Sequence, residues 1–185
     1  MKPISPLPYR KGLWSDVVDS ARTTVGKQFS GKEPSEKWKR QILLAEHSPI
    51  RQLTYKWKWE ELPYWVSVHF VRHWLGILHF VSTSRTDRTG VDRTKLPQDN
   101  PVDHECEANA QALINISRKR LCNKASLETR EAWKAVHDGL KIMDPAMASV
   151  MVSECVYRGF CPEFKGCGYA DTEAYREALK VYREV

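Results

Sequence analysis

The sequence FVRHWLGILHFVSTSR, residues 70–85, places an arginine and a histidine side by side within a run of apolar residues. Apolar residues continue upstream, and their spacing predicts one helix from about residue 61 to residue 77, with Pro63 in its first turn. Because this helix is apolar on most of its circumference, we expect it to be buried. A buried arginine needs a carboxylate partner or an anionic ligand, since an isolated buried charge costs several kcal/mol. Arg72 and His73 therefore indicate either a structural ion pair or a ligand site.

The surrounding segments predict an α+β class for the chain, a single domain over residues 1–185 with one mixed sheet packed by long helices. Alternating apolar residues predict a strand over 50–59. Residues 104–121 open as a strand and turn helical near Ala112, and residues 86–103 form a polar loop. Helices are predicted over 35–46, with Ser35 as N-cap, over 126–143, and over 171–184.

Composition and charge limit the classes of function. The net charge of +6 suggests an anionic partner, but charge alone does not choose between nucleic acid and a small phosphorylated ligand. No basic tail and no nucleic-acid-binding motif is present. No apolar run reaches the roughly 18 residues that span a bilayer, so no membrane partner is expected. The segment MKPISPLPYRKGLW, residues 1–14, has no apolar signal-peptide core, which predicts a cytoplasmic protein.

The run that ends the predicted helix resembles the signature R-H-R-x-x-S-x-N-x-x-S-x-R-Y of the flavin-dependent thymidylate synthases. Arg72 and His73 match its first two positions. Ser82, and Arg85 after one extra residue, resemble its closing serine and arginine. The chain is therefore similar to that family at the motif that ends its buried helix.

Segments on both sides extend the resemblance over about residues 15–150. SARTT, residues 20–24, resembles the family's early Ala-Arg-x-Ser segment. HSPIRQLTYKWKW, residues 47–59, is similar to the family's His-x-Ser-Pro-x-Glu-His stretch leading into a strand. Downstream, the family places an asparagine, an arginine five residues later, a glutamate eight residues after that, and an alanine between the last two. The matching residues here are Asn115, Arg120, Ala125 and Glu128.

The chain also departs from the family pattern, as a divergent and shortened relative would. Trp74 stands for the signature's second arginine, and other family positions are changed at Arg51, His69, Ile77, His79 and Lys124. The loop over residues 86–103 is shorter than the family's middle segment, which carries another arginine for the substrate phosphate. Arg88 and Arg93 are the candidates to replace it.

The resemblance implies a thymidylate synthase complementing-protein-like fold and a homotetramer whose sites are built between subunits. It implies flavin-dependent transfer of a one-carbon unit to C5 of a pyrimidine deoxynucleotide, from dUMP to dTMP or in a variant that uses dCMP or transfers a hydroxymethyl group. FAD is the implied cofactor, with methylene-tetrahydrofolate and NADPH as co-substrates. The alternative is an inactive relative of this fold that binds a nucleotide or nucleic acid.

The resemblance also implies roles for individual residues. Arg120 is the implied catalytic residue, because a planar and permanently charged guanidinium can stabilise the negative charge that develops on the pyrimidine ring. The implied FAD-binding residues are Thr24, Ser48, Arg72, His73, Trp74, Asn115 and Lys124. The implied nucleotide-binding residues are His69, Ser82, Arg85 and Arg120.

One pair of histidines has the spacing of a helical zinc motif. His69 and His73 are four residues apart, so they share a helix face. The zinc motif has a glutamate directly after its first histidine, and that residue here is Phe70. We therefore predict no metal site from this pair.

A C-terminal extension, residues 151–185, carries cysteines that the resemblance does not cover. Three of them recur every six residues: Cys155, Cys161 and Cys167. Zinc sites usually pair cysteines at Cys-x-x-Cys spacing, so this pattern alone identifies no metal. A metal site completed by Cys106 or Cys122, free thiols packed in a small subdomain, and a redox role beside a flavin all stay open. Five cysteines without an export signal favour thiols over a disulfide framework.

Overall fold

The computed structural model describes residues 8–184, so most of the segment considered above as a signal peptide, residues 1–7, lies outside the described residues. The strands are β1 (Tyr9–Lys11), β2 (Thr54–Pro63), β3 (Ile77–Val81) and β4 (Pro101–Asn109). The helices are α1 (Trp14–Thr23), α2 (Glu36–Leu44), α3 (Tyr64–Val71), α4 (Thr86–Thr89), α5 (Ala110–Arg120), α6 (Leu127–Met143), α7 (Pro145–Val150), α8 (Glu154–Arg158) and α9 (Glu173–Arg183). None of these helices is long and apolar enough to cross a membrane.

The four strands form one sheet in the order β1-β2-β4-β3, and all three pairings are antiparallel. The α+β class is confirmed, but the prediction of a mixed sheet is wrong. A parallel pair would require β3 to return beside β2 after the helix that separates them. Instead, β3 pairs with β4, and His79 lies opposite Cys106.

The two faces of the sheet differ in chemistry because side chains alternate along each strand. On β2, Tyr55, Trp57 and Trp59 point into the core. The lysines between them lie on the outer face, where Lys56 Nζ is 2.7 Å from Glu105 and Lys58 Nζ is 2.7 Å from Asp103, both on β4. These cross-strand ion pairs fix which face of the sheet meets water, although each exposed pair contributes little to stability.

The main core is built from aromatic rings between the sheet and α6. Trp133 of α6 is fully buried and lies edge-on to Trp57, with 5.7 Å between ring centroids. Phe70 of α3 stacks on Trp59 with a centroid separation of 4.4 Å. Large buried rings contribute more apolar area than any other side chains. This cluster therefore holds α3 and α6 against the same face of β2.

A buried carboxylate joins the sheet to the helices at the end of α6. Asp144 accepts hydrogen bonds from Arg10 of β1 at 2.8 Å, Trp14 of α1 at 3.2 Å and Tyr55 of β2 at 3.0 Å. Its other oxygen accepts the backbone N–H of Met147 at 3.3 Å and so caps α7. One side chain thus connects two strands and two helices.

The helix predicted over residues 61–77 is wrong in its extent, because α3 ends at Val71 and residues 77–81 form strand β3. Gly76 has a left-handed φ of +73° and turns the chain between the two elements. The apolar residues that follow pair with β4, which supplies their backbone hydrogen bonds, so they form a strand. The helical periodicity of the sequence did not reveal this pairing. Arg72 is consequently exposed rather than buried, while His73 is half-buried.

Other predicted elements are found close to their expected positions. Ser35 caps α2 by accepting the Trp38 backbone N–H at 3.3 Å. The predicted strand over 50–59 begins later, at Thr54, because residues 48–52 form a 3₁₀ helix. The strand-to-helix change predicted near Ala112 occurs at Ala110. The remaining predicted helices correspond to α6 and α9.

A second and smaller apolar cluster forms in the C-terminal part of the chain. Its buried members are Cys155 and Val156 of α8 and Tyr175 of α9. All five cysteines of the chain are free thiols. This cluster is separate from the aromatic core and is built largely from partly buried side chains.

Candidate functional site

The turn between α3 and β3 is anchored to the start of α5. The Asn109 backbone N–H donates to the Gly76 carbonyl at 2.9 Å, and the Asn109 side chain caps α5 by accepting the Ala112 N–H at 2.9 Å. A Cβ atom at Gly76 would lie 2.6 Å from the Asn109 amide nitrogen. Glycine therefore allows both the left-handed turn and the close approach of the α5 cap. This contact brings the end of α3 beside α5.

Arg120, the last residue of α5, reaches across to the end of α3. Its Nη2 donates to the His69 carbonyl oxygen at 2.6 Å, and its Nε donates to His73 Nε2 at 2.9 Å. The His69 carbonyl belongs to the last turn of α3, where carbonyls lack a partner within the helix. No carboxylate of residues 8–184 forms an ion pair with Arg120. Within this part of the chain, its half-buried guanidinium therefore donates hydrogen bonds to neutral acceptors alone.

The surroundings keep His73 neutral. Burial, followed by the positive charge of Arg120 and by His79, lowers the pKa of His73 to about 4. Because its Nε2 accepts a hydrogen bond from Arg120, the hydrogen-bond network assigns the ring proton to Nδ1. Burial and the nearby Arg72 also lower the pKa of Arg120. The guanidinium is still charged, because arginine is not deprotonated in proteins. The site is therefore a cation held beside a neutral imidazole.

A chain of hydrogen bonds continues from His73 into the core. His79 Nε2 donates to the His73 carbonyl at 2.7 Å, and His79 Nδ1 lies 2.9 Å from His104 Nε2. His104 is fully buried, and its Nδ1 lies 3.0 Å from the Ser67 hydroxyl. A single set of tautomers satisfies every ring nitrogen of His79 and His104, with Ser67 donating at one end and the His73 carbonyl accepting at the other.

Cys106 lies beside this chain, with its Sγ 3.4 Å from His79 Nδ1. Burial raises the pKa of Cys106 well above its usual range, so the thiol is protonated at neutral pH. The ligand atoms of His79, His104 and Cys106 lie within 4.8 Å of one another, a spacing that could hold a metal ion. Hydrogen bonds already account for these groups. Sequence reasoning missed the cluster, although alternation along β3 and β4 places all three side chains on the inner face.

An opening on the surface exposes this arrangement and is predominantly basic. Its lining residues are His73, Lys119, Arg120, Cys122, Lys124, Ala125 and Glu163. Two lysines and one carboxylate therefore lie around the half-buried Arg120. Such surroundings favour a ligand that carries negative charge.

The structure brings together some of the residues that the sequence assigned to one site. His73, Arg120 and Lys124 line the same opening. His69 contacts Arg120 through its carbonyl, while its Nδ1 lies 2.9 Å from the Thr129 hydroxyl. Arg72 is near enough to lower the pKa of Arg120, although its side chain is exposed.

The other assigned residues do not line this opening. Asn115 accepts a hydrogen bond from Arg118 at 3.2 Å, on a different side of α5. The Ser82 hydroxyl accepts the Asp103 backbone N–H at 3.0 Å, and Arg85 pairs with Asp87 at 2.7 Å. The remaining three are exposed: Thr24, Ser48 and Trp74.

Comparison with known proteins supports the fold. The sequence matches no protein-family model and no curated protein. The structure is similar to the crystal structure of a UMP/dUMP methylase, PolB from Streptomyces cacaoi, bound with 5-Br dUMP. The TM-score is 0.59 at 12% sequence identity, and the match covers 78% of this chain and 94% of that chain. At this identity the likeness shows a shared fold.

The buried histidine chain predicts a specific loss of stability in acid. Burial, with a contribution from His79, lowers the pKa of His104 from 6.5 to about 4, so the unfolded chain binds more protons between these two values. Neutral His104 therefore makes its full contribution to the free energy of unfolding above about pH 6.5. As the pH falls towards 4, the free energy of unfolding decreases by about 3 kcal/mol. Urea unfolding at pH 7 and pH 4.5 should show a smaller pH dependence for His104→Gln than for the wild type.

The exposed His47 offers a matched control. His47→Gln should keep the wild-type pH dependence, because His47 lies outside the buried histidine chain. Equal pH dependence in the wild type and His104→Gln would contradict the assignment of a neutral buried His104.

Proposed function

We propose that the chain transfers a one-carbon unit to C5 of a pyrimidine deoxynucleotide such as dUMP or dCMP, using FAD, methylene-tetrahydrofolate and NADPH. The observation that carries this proposal is the half-buried Arg120 guanidinium, held by His69 and His73 without a carboxylate among residues 8–184. The fold shared with a UMP/dUMP methylase supports a pyrimidine nucleotide as the substrate class. The resemblance to flavin-dependent thymidylate synthases supports the reaction type.

The hydrogen bonds of Arg120 leave one edge of its guanidinium for a ligand. Nε and one Nη2 hydrogen are used within the chain, while Nη1 has no partner among residues 8–184. The Nη1 and Nη2 groups can therefore donate two parallel hydrogen bonds, the geometry that suits a planar acceptor edge. Directed at the pyrimidine ring, these donors would stabilise the negative charge that develops on N3 and the carbonyl oxygens. A neutral His73 orients the guanidinium without neutralising it.

The opening beside Arg120 has a donor set that fits an anionic cofactor. His73 and Lys124 line it, and Arg72 is adjacent at the end of α3. We propose that these three residues contact FAD, which supplies the reducing equivalents when bound. Trp74, 73% exposed, can stack on a flat ring. In this proposal the protein binds FAD and the nucleotide, keeps them in contact and holds the Arg120 guanidinium at the pyrimidine ring.

The residues that lie outside the opening fit a site completed by another copy of the chain. We propose that Thr24, Ser48 and Asn115 contact FAD, and that Ser82 and Arg85 bind the nucleotide phosphate, across an interface in a homotetramer. None of these five residues lines the opening beside Arg120. His69 would contact the nucleotide from the same chain as Arg120.

An exposed apolar stripe supports such an assembly. It consists of Val71, Trp74, Leu75, Leu78, Phe80 and Val81, each at least 36% exposed. The stripe follows the turn and β3, which is an edge strand of the sheet. Several exposed apolar side chains along an edge strand are typical of a region that another chain covers.

We expect Phe80→Lys to convert the assembly to smaller species. Phe80 lies opposite Glu105, so a lysine there gains a cross-strand partner within the chain but would bring a charge into an apolar interface. Light scattering should show a tetramer for the wild type and a lower mass for the variant. Phe29→Lys, at a 75% exposed site on the loop before α2, is the control and should remain tetrameric. A monomeric wild type at micromolar concentration would contradict the proposed assembly.

Arg120→Lys tests the proposed role of the guanidinium. The lysine keeps the charge but loses the planar pair of donors, so turnover of the nucleotide should fall by about two orders of magnitude or more. FAD retention, measured by visible absorbance after gel filtration, should survive because the proposed flavin contacts are made by other residues. The exposed Arg176→Lys on α9 is the control and should keep full turnover.

Normal turnover by Arg120→Lys would contradict the placement of the catalytic site. Loss of FAD together with turnover would assign Arg120 to the cofactor. A wild-type protein that takes up no FAD but binds dUMP would favour the inactive nucleotide-binding alternative.

A further inference from the structure

Four of the five cysteines converge on one small enclosed cavity. They come from separate places in the chain: Cys122 follows α5, Cys155 lies in α8, and the other two belong to the segment after α8, Cys161 and Cys167. All four are free thiols. The fifth cysteine, Cys106, lies in the sheet beside His79. The sequence spacing of these cysteines identified no site, but the fold brings four thiols to one cavity.

The segment that carries two of these thiols has little structure of its own. Residues 159–168 form no helix or strand, and Gly159 and Gly168, both at a φ of +81°, bound the segment. Within the described part of the chain, no backbone N–H from residue 160 to residue 167 donates a hydrogen bond to protein. The adjacent apolar cluster buries only three residues. Small units with so little core usually need a disulfide or a metal to hold them.

We infer that Cys122, Cys155, Cys161 and Cys167 ligate an iron–sulfur cluster. A single tetrahedral zinc ion with bonds of about 2.3 Å would draw four sulfurs to about 3.8 Å from one another. Among the described residues, no three of these four sulfurs lie within 4.8 Å of one another. In a 4Fe–4S cluster each of the four cysteines binds a different iron atom, so the cysteine sulfurs lie farther apart than around one zinc ion. The Cys-x₅-Cys-x₅-Cys spacing likewise lacks the close pairs of zinc sites.

The inferred cluster would lie beside the opening that exposes Arg120. Cys122, Lys124 and Glu163 line both the four-thiol cavity and that opening. The inference itself rests on the thiols and is independent of the proposed nucleotide chemistry. Loss of the cluster and loss of nucleotide turnover can therefore be measured separately.

The test uses the full chain, purified without oxygen and incubated with iron(II), sulfide and a thiol reductant. Chemical analysis should find iron and acid-labile sulfide in equal amounts, with visible charge-transfer absorption and a paramagnetic signal after reduction by dithionite. Cys161→Ala should lose both iron and sulfide. Cys167→Ala should do the same, and because Cys167 is exposed, this variant creates no cavity in the core.

Cys106→Ala is the matched control and should keep the cluster, because Cys106 lies outside the four-thiol cavity. Zinc bound without sulfide, or no metal bound by the folded wild type, would overturn the inference. Metal lost in Cys106→Ala but kept in Cys167→Ala would also overturn it, since the ion would then belong to His79, His104 and Cys106. Circular dichroism of each variant confirms that loss of iron is not loss of fold.

Discussion

The carboxylate of Asp144 is the interaction on which the arrangement of layers depends. It is almost completely buried, and it is stable there because Arg10 supplies the opposite charge while Trp14 and Tyr55 donate hydrogen bonds. Breaking a buried pair of this kind typically costs about 3–5 kcal/mol, since it leaves a charge without compensation. The same group ends α6 and begins α7. It therefore fixes α6, and with it the ring of Trp133, against the first two strands of the sheet.

The candidate site lies towards the opposite edge of the sheet. Three polar side chains lie there, buried or half-buried: His79, His104 and Ser67. Their hydrogen bonds lead to the backbone carbonyl of His73 at the surface. Buried polar chains of this kind are stable only when every member has a partner, and a satisfied chain holds its members in one orientation. His79 thus holds the His73 backbone carbonyl, while the neutral His73 ring accepts from Arg120 through Nε2. In the proposed role of Arg120, this imidazole and the His69 carbonyl hold a cation whose outer edge faces the opening.

Local sequence patterns predicted the elements whose periodicity is unambiguous, such as α6 and the Ser35 cap of α2. They failed at residues 61–77, because an apolar run suits a helix or a buried strand equally and only pairing with β4 selects the strand. Arg72 and His73 nevertheless indicated the region of the candidate site. His104 could not be joined to His79 from sequence, since their contact depends on the β3–β4 register. The convergence of Cys122 with Cys155, Cys161 and Cys167 likewise depends on tertiary packing.

The most direct measurement of the central claim is mass spectrometry of nucleotides incubated with the protein. The reaction should contain FAD, NADPH, methylene-tetrahydrofolate and either dUMP or dCMP. We expect one of the two nucleotides to gain the mass of a single one-carbon unit on its base, and only when both the reduced flavin and the folate are present. Folded protein that binds FAD and leaves both nucleotides unchanged would contradict the account.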